Sequence, residues 1–173
     1  MKPADHPEFF RFPAPEGRSR ESTLRLDREG RFFHDGALVE HPKLASALPT
    51  WIARHPDDGR FILNNGYDWT YFTVEDVPFF VLHLRNEDGD AVLRLSDGTE
   101  ETLEPSTLRE GTEGELYVSV KRGPDARSRG GPFDAKFSRH AQTQLSPYLF
   151  EEDGELFVRT RRGRSRVFSP IGQ

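Results

Sequence analysis

The chain has no cysteine and only one methionine in 173 residues. Without thiols there is no disulfide, no thiolate nucleophile and no thiolate metal site. No apolar run approaches the roughly 20 residues that a membrane-spanning helix needs, and the first residues do not read as a signal peptide. A soluble, cytoplasmic protein with no membrane partner is therefore expected. The histidines stand at 6, 34, 41, 55, 83 and 140, with no pair at metal-ligand spacing, so no metal site is expected. No serine sits in a Gly-x-Ser-x-Gly elbow. No glycine pattern matches a Walker or dinucleotide-binding loop, so no cofactor is expected. No catalytic residue can be assigned, and an enzyme would need titratable side chains converging in one cleft, which linear sequence does not show. Enzymatic activity stays undecided, with the balance against it.

Apolar residues are also scarce, at 34% against 31% charged. The core must lean on few, large side chains, and the 14 phenylalanines meet that need. A chain of this length makes one domain or two small ones and buries roughly 70% of its unfolded surface. Lysine is rare, and 20 of the 24 basic residues are arginine. Arginine suits planar, bidentate contact with carboxylate or phosphate, although a GC-rich genome gives the same bias without physical cause. The net charge of -5 argues against general affinity for nucleic acid polymers. Residues 1–105 carry 12 basic and 20 acidic residues, whereas residues 106–173 carry 12 and 9. An acidic half and a basic half attract each other or line opposite walls of a polar cleft.

Residues 1–23 are rich in proline and charge and read as an irregular arm, with Phe9, Phe10 and Phe12 available to dock on the body. Thr23–Leu26 reads as a short strand, and 31–39 as a hairpin turning at Asp35-Gly36. Leu44, Leu48, Trp51 and Ile52 recur at helical spacing after Pro42, with Pro49 expected to kink or end that helix. Strands follow at 61–63, 68–74, 79–85, 91–95 and 99–103, joined by turns that include Asp88-Gly89 and Asp97-Gly98. This is a meander of antiparallel strands. A polar stretch at 104–113 suggests a boundary. Beyond it come a strand at 116–120, a Gly/Pro/Arg-rich loop at 122–132, a second helix over 137–146, and strands at 156–158 and 166–168. The order of helix, Asp-Gly turn and apolar strand occurs twice, with Asp58-Gly59 matching Asp153-Gly154. These patterns predict an α+β protein with an N-terminal half at 24–104 and a C-terminal half at 105–173, each of antiparallel strands plus one helix.

Phe32-Phe33-His34-Asp35-Gly36, the helix at 42–52, and Trp69 followed by Val74-Glu75-Asp76-Val77-Pro78-Phe79 together resemble the bacterial domain-of-unknown-function family 1285. So do Phe137-Ser138-Arg139-His140, Asp153-Gly154 and Arg166-Val167-Phe168-Ser169-Pro170. The resemblance covers roughly residues 24–171 and implies two similarly built halves, the second loosely like a pleckstrin-homology barrel. It also implies a groove between them for a nucleotide-like ligand in a signalling role. It brings no catalytic residues. The chain departs from the family in having Asn65-Gly66-Tyr67-Asp68 before Trp69, where relatives tend to have Pro-Val-Glu-Lys.

Several residues are candidates for that ligand site: Trp69, Asp76, Arg122, Arg139 and His34. Trp69, Tyr71 and Phe72 are able to stack a base, although aromatics on a half-buried strand are usually core. Glu75 and Asp76 lie on opposite faces of an extended chain, which argues against an acid–base dyad. The blander reading has one satisfying turn N–H groups and the other pairing an arginine of the second half. Arg159, Arg161, Arg164 and Arg166, with Arg162, crowd the final hairpin as a candidate anion patch. They equally suit a solvated edge strand blunted by charge or a surface for a protein partner. Arg127-Ser128-Arg129-Gly130-Gly131 reads as a surface loop or as an anion cradle. The leading expectation is a non-catalytic binding or signalling module for a nucleotide-like or phosphorylated small molecule. The rival is a protein-interaction scaffold that uses the arginine-rich hairpin.

Overall fold

The alternation Phe133-Asp134-Ala135-Lys136-Phe137 has the period of a half-buried strand. In the computed structural model, which describes residues 1–127 and 129–170, it forms one. Its three apolar members are buried, while Asp134 is exposed and Lys136 half-buried. Sequence patterning leaves 133–136 unassigned between the loop at 122–132 and the helix expected over 137–146. The strand matters because it joins two sequence-distant pieces. It pairs in parallel with Phe79–Val81 and antiparallel with Tyr117–Val120.

The elements run in this order: β1 (Arg25–Leu26), β2 (Phe32–His34), β3 (Ala37–Leu38), α1 (Pro42–Ala47), β4 (Ile52–Arg54), β5 (Phe61–Asn64), β6 (Trp69–Tyr71) and β7 (Thr73–Val74). Then come β8 (Phe79–Glu87), β9 (Asp90–Leu95), β10 (Glu100–Thr102), β11 (Arg109–Glu110), β12 (Leu116–Val120), α2 (Pro124–Arg127) and β13 (Phe133–Phe137). The chain ends with α3 (Arg139–Leu145), β14 (Leu149–Glu152), β15 (Glu155–Thr160) and β16 (Gly163–Arg166). The described strands form four sheets, ordered β3-β2-β1-β7, β4-β5-β6, β10-β9-β8-β13-β12-β11 and β14-β15-β16. All pairings are antiparallel except β1 with β7 and β8 with β13. The fold is α+β, and these sheets include no closed barrel.

Helix α1 is shorter than its apolar spacing suggested. Pro49 stops it, a 3-10 turn carries Leu48–Trp51, and Ile52 already belongs to β4. Leu44 remains 40% exposed, so the predicted apolar stripe is buried only from Leu48 onward. Helix α3 starts at Arg139 rather than 137, because the Ser138 hydroxyl accepts the Ala141 N–H as its N-cap. The predicted strand 68–74 is two strands in different sheets, broken at Phe72, whose ring is buried. The last strand comes earlier than expected, at 163–166. The recurrence seen in the sequence extends to element order. Helix, proline-containing 3-10 turn and three-stranded meander occur as α1-β4-β5-β6 and again as α3-β14-β15-β16.

The chain forms two compact units, but not at the boundary the composition suggested. The first comprises Met1–Pro78 and Gly123–Gly131, and the second comprises Phe79–Arg122 and Pro132–Gln173. Hydrogen bonding of β8 to β13 draws the meander β8-β9-β10 into the second unit. With this division the charge asymmetry disappears. The first unit holds 12 basic and 14 acidic residues, and the second 12 and 15.

In the first unit the N-terminal arm is docked, not loose. Phe9 is buried with Ala53, Ile62 and Trp69, and Phe10 packs beside them. The Ala4 N–H donates to the Gly66 carbonyl at 3.0 Å, and Arg11 reaches both oxygens of Asp57. In the second unit Phe79, Val81, Leu93, Leu95, Val118 and Leu145 are almost fully buried. Each such side chain contributes roughly 1.5–3 kcal/mol relative to exposure.

Candidate functional site

His55 follows directly on β4, and the segment after it turns tightly. The His55 N–H donates to the Arg60 carbonyl at 2.8 Å and the Gly59 N–H to the His55 carbonyl at 2.9 Å. The turn also fixes the ring. The Asp57 N–H donates to Nδ1 at 3.1 Å, so Nδ1 is the acceptor and the proton resides on Nε2. Nε2 then donates to the Phe10 carbonyl at 3.2 Å. Both ring nitrogens are therefore in use. Only 6% exposed, the imidazole packs against Trp69 at 4.8 Å, Phe10 at 5.5 Å and Tyr71 at 5.7 Å between ring centroids.

Charged groups fence this aromatic cluster. The Tyr71 hydroxyl donates to Asp58 Oδ2 at 2.6 Å. That hydrogen bond holds the Asp58 carboxyl below the usual carboxylate range. Burial, and then the same hydrogen bond and charge, push the Tyr71 phenol up. The Arg60 guanidinium lies 3.7 Å from the Tyr71 ring centroid and forms a two-pronged pair with Glu21. Arg20 stacks over Trp69 at 4.5 Å.

Beside His55 lies a cavity of about 410 Å³, lined by Phe10, Ala53, Arg54, His55, Pro56, Gly59, Asn64, Arg129 and Gly130. All of these belong to the first unit. The segment 129–130 is fastened to β4 and β5. The Arg54 N–H donates to the Arg129 carbonyl and Arg54 Nη1 to the Gly130 carbonyl, both at 2.9 Å. Arg129 Nη1 donates to the Thr50 carbonyl at 2.9 Å and Nη2 to the Asn64 carbonyl at 3.3 Å. No aspartate or glutamate is among the lining residues, whereas two arginines are. The lining can hold an anion, and it offers no carboxylate set for a metal. Among the described residues no cluster of three or more His, Cys, Asp or Glu could hold a metal ion.

The sequence had pointed at part of this site. Arg129 and Gly130 belong to the loop read as surface loop or anion cradle. Ser128 and the Arg127 side chain, from the same loop, lie outside the described residues. Trp69, Asp76, Arg122, Arg139 and His34 do not line the cavity. Trp69 is 5% exposed and belongs to the core, one ring behind the cavity wall. Asp76 is half-buried in the bend after β7. Its neighbour Glu75 pairs with Arg25 of the same unit, not with an arginine of the second. His34 is exposed on β2 beside Asp35, Arg122 is exposed after β12, and Arg139 is exposed at the start of α3. His55 had been weighed only as one of six histidines. Its signal was His-Pro-Asp-Asp-Gly, a tight turn after an apolar strand.

The arginine-rich hairpin is partly neutralised within itself. Arg164 pairs with Glu152 at 2.8 Å and Arg166 with Glu155 at 3.4 Å, while Arg162 reaches Glu104. Arg159 and Arg161 have no carboxylate partner among the described residues, and Arg159 lies over Phe150 at 4.8 Å.

The second unit holds a buried charge network of its own. Lys121 Nζ lies 2.6 Å from Asp97 Oδ2 and 5.0 Å from the Phe79 ring centroid. Burial pushes the Asp97 carboxyl up, but hydrogen bonds from Lys121 and Thr99 outweigh it and leave the group below the usual range. Burial also pushes Glu101 up, and there it prevails over the Lys121 N–H and ammonium.

Two solved structures have a similar fold. One is a DUF1285 family protein from Silicibacter pomeroyi DSS-3, matched over 94% of this chain and 93% of that one, with a TM-score of 0.59 and 15% identity. The other is a DUF1285 family protein from Shewanella baltica OS155, matched over 75% of this chain and 94% of that one, with a TM-score of 0.55 and 14% identity. No family model matches the chain, and no curated protein matches it. The resemblance to family 1285 therefore holds at the level of the fold, and the chain shares that fold with proteins of unknown function. No helix among the described residues is long and apolar enough to cross a membrane.

Proposed function

We propose that the chain is a non-catalytic binding module, of a signalling kind, and that the cavity of the first unit holds a small polar ligand. One observation carries this reading. The cavity of about 410 Å³ is lined by Arg54, Arg129 and His55 and by no carboxylate. Its size lies within the roughly 300–1,000 Å³ typical of small-molecule sites. The non-catalytic character rests on His55, whose two ring nitrogens are both engaged by backbone groups, so neither is poised to move a ligand proton. Trp69 acts from behind, as the surface that fixes the His55 ring. Thermal-shift screening of the full chain against nucleotides, phosphorylated metabolites, organic acids and neutral metabolites tests the reading. Stabilisation by at least one class is expected, and a flat response to all of them contradicts it.

A second reading has its own observation: Arg159 and Arg161 on the last hairpin have no carboxylate partner among the described residues. There the protein is a scaffold for an acidic protein partner. Charge-removing substitutions at both positions would then abolish partner capture while leaving small-molecule stabilisation intact.

A further inference from the structure

Granting that the cavity is a binding site, we infer that its ligand is a phosphomonoester with an organic body, read by the guanidinium of Arg129. A guanidinium has five N–H donors. In Arg129 one donor of Nη1 serves the Thr50 carbonyl and one of Nη2 serves the Asn64 carbonyl. The Nε–H and one hydrogen on each Nη remain. The two carbonyls are neutral, so they fix the plane of the group without matching its charge. Among the described residues no carboxylate pairs with Arg129. The result is a cation oriented in advance, with free donors in the fork geometry that suits phosphate oxygens.

Charge selects between anions. Arg54 lines the same cavity, and no aspartate or glutamate is among the lining residues. Two cations favour an anion of about two charges, and a phosphomonoester carries roughly -1.5 to -2 at neutral pH. A monocarboxylate brings half that. The rest of the cavity is too large for an inorganic ion alone and presents Phe10, Ala53 and Pro56. Those apolar surfaces fit the body of the ligand, and Phe10 offers an aromatic ring for stacking.

The test is calorimetric titration of the full chain with adenosine 5′-monophosphate, benzyl phosphate, inorganic phosphate, adenosine and hexanoate. At least one of the two phosphomonoesters should bind, more tightly than inorganic phosphate, adenosine or hexanoate. Arg129→Gln should weaken that binding by about 10- to 100-fold, the size of a lost charge-assisted contact. Arg129→Lys should rescue it only in part, since a point charge cannot span two carbonyls and a phosphate together. Arg159→Gln should leave it unchanged. A second readout needs no variant. Phosphomonoesters lose their second charge near pH 6, so affinity should fall between pH 7.5 and pH 5. Equal binding of adenosine and its monophosphate, full affinity in Arg129→Gln, or a pH-independent affinity overturns the inference. Binding of another compound class without dependence on Arg129 overturns it too, while leaving the binding-module reading intact. Failure of every class removes both.

Discussion

Gly130 approaches Arg54 so closely that a Cβ on it would stand 2.6 Å from the Arg54 Cβ and 3.2 Å from the Arg54 nitrogen. Its φ of +91° is also one that side chains rarely adopt. Sterics and backbone conformation therefore both require glycine where the loop meets β4. Gly130→Ala is expected to cost at least about 1–2 kcal/mol from the backbone conformation alone. The contact with Arg54 adds to that, and thermal denaturation should show the midpoint falling by several degrees. Because the Gly130 carbonyl accepts from Arg54 Nη1, the same variant should bind ligand more weakly. An alanine variant as stable as the parent would mean that the loop does not close on β4.

Phe9 tests the docking of the arm. It is 5% exposed and packs with Ala53, Ile62 and Trp69. Phe9→Ala should destabilise the first unit by about 3–5 kcal/mol, as large-to-small changes at buried aromatics do. Limited proteolysis should then cut within residues 1–20 faster than in the parent. Unchanged cleavage would show that the arm contributes no packing.

Glu101 provides a pH signature. Its carboxylate accepts the Lys121 N–H at 3.0 and 3.1 Å, and burial raises its pKa above the ordinary value. The folded state therefore holds this proton more tightly than the unfolded chain does. The stability it brings is fully present below the unfolded pKa and is lost as pH rises through the raised folded value. Glu101→Gln keeps an acceptor and does not titrate. The variant should gain stability relative to the parent as pH rises from about 4 to 7, with the difference vanishing in acid. Paired urea melts at several pH values measure this. A variant that loses ground with rising pH would reverse the sign of the argument.

Much of the fold was legible because its signals are local. The Asp88-Gly89 turn between β8 and β9, the strand at 116–120 and the proline that ends α1 depend on neighbours in sequence. What was missed depends on distant partners. Phe133–Phe137 becomes a strand because Phe79–Val81 and Tyr117–Val120 lie on either side of it. That same pairing moved the unit boundary from 104 to 78 and dissolved the apparent division into acidic and basic halves. The site divided in the same way. Arg129 and Gly130 were visible as a basic glycine loop. Their closure onto Arg54, Thr50 and Asn64 spans 65 or more positions and leaves no local trace. Trp69 reads from sequence as a ring able to stack a base or as core, and only the packing of Phe9 and His55 against it shows how little of it is exposed.

Binding of a phosphomonoester in the cavity of the first unit through Arg129 would perturb a defined set of backbone amides. Amide chemical-shift mapping during separate titrations with adenosine 5′-monophosphate and benzyl phosphate reads this out residue by residue. With at least one of them, saturable shifts are expected at Phe10, Ala53, Arg54, His55, Gly59, Asn64, Arg129 and Gly130, and Arg129→Gln should need about 10- to 100-fold more ligand to reach them. Shifts confined to Arg159–Arg166 with both ligands, or absent from the whole spectrum with both at millimolar concentration, would contradict that mode of binding.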